Sequence, residues 1–137
     1  MKPRVILAIL ALVTLTTGSC KKDSGSKEPY NLANTEWQGK ADMYGRDFNP
    51  MKVSFKENHI LEVVFVPVDD PSTKFTFAGS WAKADDSDNV EFQFTKGLET
   101  VTGKATLTDN NMKMADGKFK TSGDENLDAG SFDITRQ

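Results

Sequence analysis

Few side chains in this sequence could do covalent or metal chemistry, and they stand far apart. Cys20 is the one cysteine and His59 the one histidine. A lone thiol can be acylated, but it has no partner for an internal disulfide or for a cysteine–histidine metal site. His59 follows Asn58 between two apolar runs, with no second base or nucleophile spaced to share a proton with it. It reads as a solvated turn histidine. The densest acidic stretch is Asp85-Asp86-Ser87-Asp88-Asn89. Its carboxylates are hard ligands of the kind calcium takes, so Asp85, Asp86 and Asp88 are the candidate ligands. Counted from Asp85, the stretch lacks the glycine at the sixth position and the glutamate at the twelfth that a calcium loop carries. Asp and Asn are also ordinary turn residues, and a solvated loop is the expected reading. Asp124-Glu125-Asn126 with Asp128 reads the same way. No nucleophile elbow and no Gly-rich phosphate loop is present in the sequence. The expectation is a protein that is not an enzyme and uses no cofactor and no metal.

Cys20 remains, and its place in the chain gives it a use. Lys2 and Arg4 precede Val5 to Leu15, a run of about 11 residues without a charge. Thr16, Thr17, Gly18 and Ser19 follow, then Cys20. Charged, apolar and small residues in that order mark a secretory signal. The run falls well short of the roughly 20 residues that a bilayer-crossing helix needs. It also has no polar face for a buried amphipathic helix.

Gly18-Ser19-Cys20 resembles the cleavage site of bacterial lipoprotein signal peptides, with Thr17 where a leucine is more usual. The resemblance implies removal of residues 1–19 and acylation of Cys20 by chains of the palmitate kind. One acyl chain holds a protein at a membrane only marginally, whereas several hold it stably. After Cys20, Lys21 to Pro29 is rich in Ser, Gly and Lys and has no hydrophobic pattern, so residues 20–30 read as a flexible tether. Lys21-Lys22-Asp23 is similar to the charged signals of Bacteroidetes-type lipoproteins. That likeness implies the cell envelope, at the outer membrane, with the domain periplasmic or surface-exposed.

Without residues 1–19, Lys plus Arg falls from 17 to 15 against 20 Asp plus Glu, a charge of about −5. A mildly acidic body lacks the basic footprint that nucleic-acid binding needs. Residues 31–137 suit one domain long enough to bury a core of its own.

Apolar and polar residues alternate through Met51–Lys56, Lys74–Trp81, Val90–Thr95 and Ser131–Arg136. That period predicts strands with one wet face. Ile60–Val66 is apolar on both faces apart from Glu62, which predicts the most buried strand, or one covered on both sides. Turn residues dominate Tyr44–Pro50, Glu57–His59, Asp69–Ser72, Asp85–Asn89, Asp109–Asn111 and Ser122–Gly130. Asp116-Gly117 between two short apolar–polar runs predicts a two-residue hairpin. Asn31–Glu36 suits one turn of helix. Eight or nine strands follow, at about 36–43, 50–56, 60–67, 73–82, 89–96, 100–108, 111–115, 117–121 and 130–136. Short connections make sequence neighbours spatial neighbours. The expected fold class is all-β, an antiparallel up-and-down meander closed into a barrel, which removes the sheet edges. A β-sandwich is the alternative, but it needs longer crossovers.

Asn34-Thr35-Glu36-Trp37-Gln38-Gly39 resembles the opening of small lipocalin-like domains of bacterial lipoproteins, which begin with Gly-x-Trp. Thr35 stands here in place of that glycine. The resemblance implies a barrel plugged at one end by Trp37 and, in many members, a small apolar ligand. Phe55, Phe65, Phe77, Trp81, Phe92, Phe94, Phe119 and Phe132 fall on the apolar positions of successive strands. Together with Trp37 they are the candidate ligand pocket or the candidate core, since small barrels can be either. Two functions are expected from this. One is a membrane-tethered envelope protein holding a small hydrophobic ligand in the barrel. The other is an accessory lipoprotein with a filled core that meets an envelope protein through its outer faces and loops.

Overall fold

Side chains that alternate between a greasy and a watery surroundings drive the backbone to extend, and this domain extends along almost its whole length. The computed structural model describes residues 30–122 and 124–137, with side chains for all of these but 124–128. The expected signal peptide 1–19, Cys20 and all of the tether 20–30 except Tyr30 lie outside the described residues. Eight strands follow one another: β1 (Thr35–Met43), β2 (Arg46–Phe55), β3 (Ile60–Pro67), β4 (Phe75–Lys83), β5 (Asn89–Lys96), β6 (Glu99–Thr108), β7 (Lys113–Thr121) and β8 (Asp124–Arg136). A single 3₁₀ turn, Glu57–His59, joins β2 to β3. Each strand pairs antiparallel with the next, and β1 closes on β8 from Trp37↔Arg136 to Met43↔Gly130. The fold is all-β, an up-and-down antiparallel meander closed into a barrel. The β1–β8 ladder leaves no open edge, which rules out the sandwich.

The count is eight because Asp116-Gly117 does not make a hairpin. The expected strands 111–115 and 117–121 are one strand, β7. Met114 pairs with Ile134 and Gly117 with Phe132, so Ala115 and Asp116 together face Asp133 as a bulge. Asp116 has φ 53°, so the left-handed preference of Asp-Gly is used to kink a strand and not to reverse it. Tyr44–Pro50 is likewise mostly strand. The chain reverses at Tyr44 (φ 54°) and Gly45 (φ 73°), a turn matched to strand twist, and β2 resumes at Arg46. Asn49-Pro50 then bulges opposite Lys40 and Val66, where the missing proline N–H breaks no regular ladder. Ser122–Gly130 was expected as a turn, yet the backbone pairs from Thr121↔Asp124 onward. Register shifts in that ladder accommodate its turn-forming composition. Asn31–Glu36 is not helical. It reverses at Asn34 (φ 61°), and the Thr35 N–H donates to the Leu32 carbonyl at 3.2 Å.

β3 is covered on both faces only at its C-terminal end. Leu61, Val63, Phe65, Val66 and Pro67 are buried, while Ile60 is half-exposed and Glu62 and Val64 are partly so. One buried face per strand is what a barrel with a wet exterior requires. Inward positions alternate large and small. A Cβ on Gly103 would lie 2.4 Å from the Phe92 ring, and one on Gly117 would lie 2.6 Å from the Phe132 ring. These two inward glycines give up the room that two phenyl rings occupy. Each ring buried in this way contributes about 1.5–3 kcal/mol relative to exposure.

Candidate functional site

All nine aromatic candidates point into the barrel, and they form one chain of ring contacts along its axis. Trp37 meets Phe55 at 6.5 Å, and Phe55 meets Trp81 at 5.7 Å and Phe92 at 6.1 Å. Phe92 continues to Phe132 at 5.4 Å and Phe132 to Phe119 at 4.8 Å. Phe119 reaches Phe94 at 6.4 Å, and Phe94 stacks on Phe77 at 5.3 Å and leans on Phe65 at 5.7 Å. Half of these contacts cross edge to face, and the rest are tilted or stacked, arrangements compatible with the ring quadrupole. The middle of the barrel is therefore core.

One end is sealed with polar handles. The Trp37 indole N–H donates to Thr35 Oγ1 at 2.9 Å, and the Thr35 hydroxyl donates to the Leu32 carbonyl at 2.6 Å. The Trp81 indole N–H donates to the Lys56 carbonyl at 3.0 Å. His59 lies against the Trp81 ring at 4.9 Å, with Nδ1 3.0 Å from the Trp81 carbonyl oxygen. The lone histidine is thus exposed in its turn, as expected, and lies against the outside of this plug. Tyr30 enters at the same end, its ring 5.7 Å from the Arg136 guanidinium.

The other end is open. A pocket of about 230 Å³ is lined by Met43, Tyr44, Arg46, Phe48, Phe65, Phe75, Phe77 and Lys96. It sits where the Tyr44-Gly45 turn, the β3–β4 loop and the β5–β6 turn come together. Arg46 donates from Nε and Nη2 to Asp69 Oδ1 at 3.1 and 3.0 Å. The same guanidinium stands 5.9 Å from the Phe48 ring and 5.8 Å from the Phe75 ring. Lys96 Nζ lies 4.4 Å above the Tyr44 ring, and the Tyr44 hydroxyl donates to Glu99 Oε2 at 2.9 Å. Partial burial, and after it the Glu99 carboxylate, raise the Tyr44 phenol above its ordinary 10.0. Val68 and Leu98 stand exposed on the adjoining loops.

Of the nine expected residues, Phe65 and Phe77 line this mouth, and the other seven fill the barrel behind it. Sequence reading missed Met43, Tyr44, Arg46, Phe48, Phe75 and Lys96. Phe75 was legible as an inward position of the Lys74–Trp81 alternation. Phe48 and Arg46 were hidden inside a stretch that reads as a turn. A larger, shallower depression of about 720 Å³ lies on the outer face of β5 to β7, among Lys83, Glu91, Lys104, Lys118 and Lys120. It is wide and ringed by charged side chains, with Glu91 already paired to Lys104 at 3.0 Å. Among the described residues no group of three or more His, Cys, Asp or Glu is placed to hold a metal ion. The Asp85–Asn89 loop uses Ser87 Oγ to accept the Asn89 backbone N–H at 3.0 Å.

Fold and site together define a closed eight-stranded antiparallel barrel with a packed interior, one plugged end and one aromatic mouth. No protein-family model, curated protein or solved structure matches the chain. Function must then be argued from the mouth itself, because barrels of this kind serve many purposes.

Proposed function

We propose that this chain is an exported, lipid-anchored barrel of the cell envelope that holds a small apolar ligand at its open mouth. The observation that carries this reading is the pocket bounded by Phe48, Phe65, Phe75 and Phe77. It is concave and largely apolar, with a few polar groups at its rim, the usual make-up of a small-molecule site. Its volume lies below the about 300–1,000 Å³ of drug-sized sites, so the ligand is small. Tyr30, the first described residue, meets the barrel at the plugged end, opposite the mouth. The signal-like order of residues 1–19 and the small residues before Cys20 support the lipid anchor.

N-phenylnaphthylamine, a dye that brightens on leaving water, tests the pocket. Saturable brightening at one site per chain is expected, and its loss in Phe75→Asp at unchanged melting temperature places the site at the mouth. A flat titration of the wild-type protein overturns the reading. It would turn attention to the accessory alternative, for which the exposed Val68 and Leu98 beside the mouth supply contact surface. The anchor has its own test. Labelled palmitate should enter the full chain and not Cys20→Ala, and the variant should leave the membrane fraction. Unlabelled wild-type protein in the soluble fraction overturns the anchor.

A further inference from the structure

The two cations at the mouth differ in what already holds them. Arg46 is committed: Asp69 takes two of its N–H groups, and its plane braces the Phe48 and Phe75 rings. Lys96 has no ion-pair partner among the described residues and rests its ammonium over the Tyr44 ring. Among the described residues no Asp or Glu lines the pocket. Asp69 is engaged with Arg46, and Glu99 with the Tyr44 hydroxyl. Among the described residues the apolar recess therefore ends in one positive charge without an ion-pair partner. The walls are aromatic as well as apolar. Phe48 crosses Phe65 at 5.1 Å and 62°, and Phe65 crosses Phe77 at 6.1 Å and 63°. Behind them Phe94 and Phe119 close the barrel, so a long tail has nowhere to run.

Resting on the mouth as the binding site, we propose that its ligand is a compact aromatic monocarboxylate. The ring lies among Phe48, Phe65, Phe75 and Phe77, and the carboxylate meets Lys96. A flat ring uses a small volume fully and gains edge-to-face contacts that an alkyl chain cannot make. A charged hydrogen bond at a half-wet rim adds selectivity more than affinity. Arg46, held by Asp69, acts as a wall that positions the two outer rings.

Displacement of N-phenylnaphthylamine by naphthoate, by the neutral naphthylmethanol and by octanoate tests this in the wild type, Lys96→Met and Lys96→Arg. Wild type should prefer naphthoate over naphthylmethanol by about twofold to fivefold, the range of a rim-exposed charge pair. Lys96→Met should abolish that preference while keeping naphthylmethanol affinity, and Lys96→Arg should restore it. Octanoate should bind more weakly than naphthoate. Equal binding of acid and alcohol to wild type, or an undiminished preference in Lys96→Met, overturns the role of Lys96. Octanoate equal to or tighter than naphthoate overturns the aromatic specificity. Failure of the dye itself to bind wild type is the separate result that removes the mouth as a site.

Discussion

At the plugged end of the barrel the large rings are tryptophans, and each indole N–H has a protein acceptor: Thr35 Oγ1 for Trp37 and the Lys56 carbonyl for Trp81. At the mouth four of the large rings are phenylalanines, which have no polar edge to tie down, and the polar groups around them are two cations and the Tyr44 phenol, itself bonded outward to Glu99. Both ends are aromatic. The difference is that a tryptophan can finish a core by bonding backward into the chain that covers it, whereas a phenylalanine at a barrel rim must stay partly wet or be covered by something else. Phe75 keeps 38% of its surface exposed, while Trp37 keeps 1%. One end is thus a structural closure, and the other is an open aromatic recess.

The largest effect should come from removing the closure. Trp37→Ala deletes a fully buried ring and is expected to cost about 3–5 kcal/mol, read by urea denaturation. Dye binding at the mouth should survive wherever the variant is folded. A cost below about 1 kcal/mol, under the range for a large-to-small core change, would mean that the plug is not part of the core.

Next comes the handle alone. Thr35→Val keeps the side-chain shape but leaves the Trp37 N–H and the Leu32 carbonyl without the Thr35 hydroxyl. The expected cost is about 1–3 kcal/mol, that of leaving a buried polar group unpaired, and Thr35→Ser should recover most of it. Equal stability of the valine and serine variants would show that the plug needs shape and not the hydrogen bond.

At the mouth the balance should invert. Phe75→Ala removes a ring that is already half in water, so it should change stability by less than about 1 kcal/mol. It takes away one wall of the pocket, and dye affinity should fall about fivefold for roughly 1 kcal/mol of lost contact. A stability loss matching that of Trp37→Ala would erase the distinction between the two ends.

The plug was more legible than the mouth, for a physical reason. Trp37, Phe55, Phe92 and Phe94 lie on strands whose alternation is regular, so inward positions can be read by counting in twos. The mouth is made where that counting fails. Asn49-Pro50 inserts a bulge after Phe48, and the turn-like residues around it conceal that Arg46 and Phe48 belong to a strand. The same failure split β7 at Asp116-Gly117, where a local preference for left-handed backbone is met by a bulge. Closure of β1 on β8 was inferable from the need to remove edges. That the interior would be filled was not, since it depends on Gly103 and Gly117 yielding space to Phe92 and Phe132, their partners on the neighbouring strands.

The smallest effect concerns what holds the mouth's flank in place of indole handles. In the β3–β4 loop Asp70 accepts hydrogen bonds from the hydroxyls of Thr73, at 2.5 Å, and Ser72, at 2.7 Å. The Thr73 bond first, then the Ser72 bond, hold its carboxyl below the ordinary 3.8, with the Arg46 charge a minor contributor. A carboxyl whose folded pKa is depressed adds stability that is complete above its unfolded pKa and is lost as pH falls through the folded one. Wild type should therefore melt slightly above Asp70→Asn at neutral pH, with the gap constant down to about pH 5 and closing below pH 4, as the protonated acid comes to resemble the amide. Asp70 lies at the surface, where water screens its carboxylate, so the gap is small, and thermal melts across that range measure it. A gap that persists unchanged into strong acid would assign the loop's order to its backbone alone, including the Thr73 N–H bond to the Asp70 carbonyl at 3.1 Å. The flank of the mouth would then be held independently of charge.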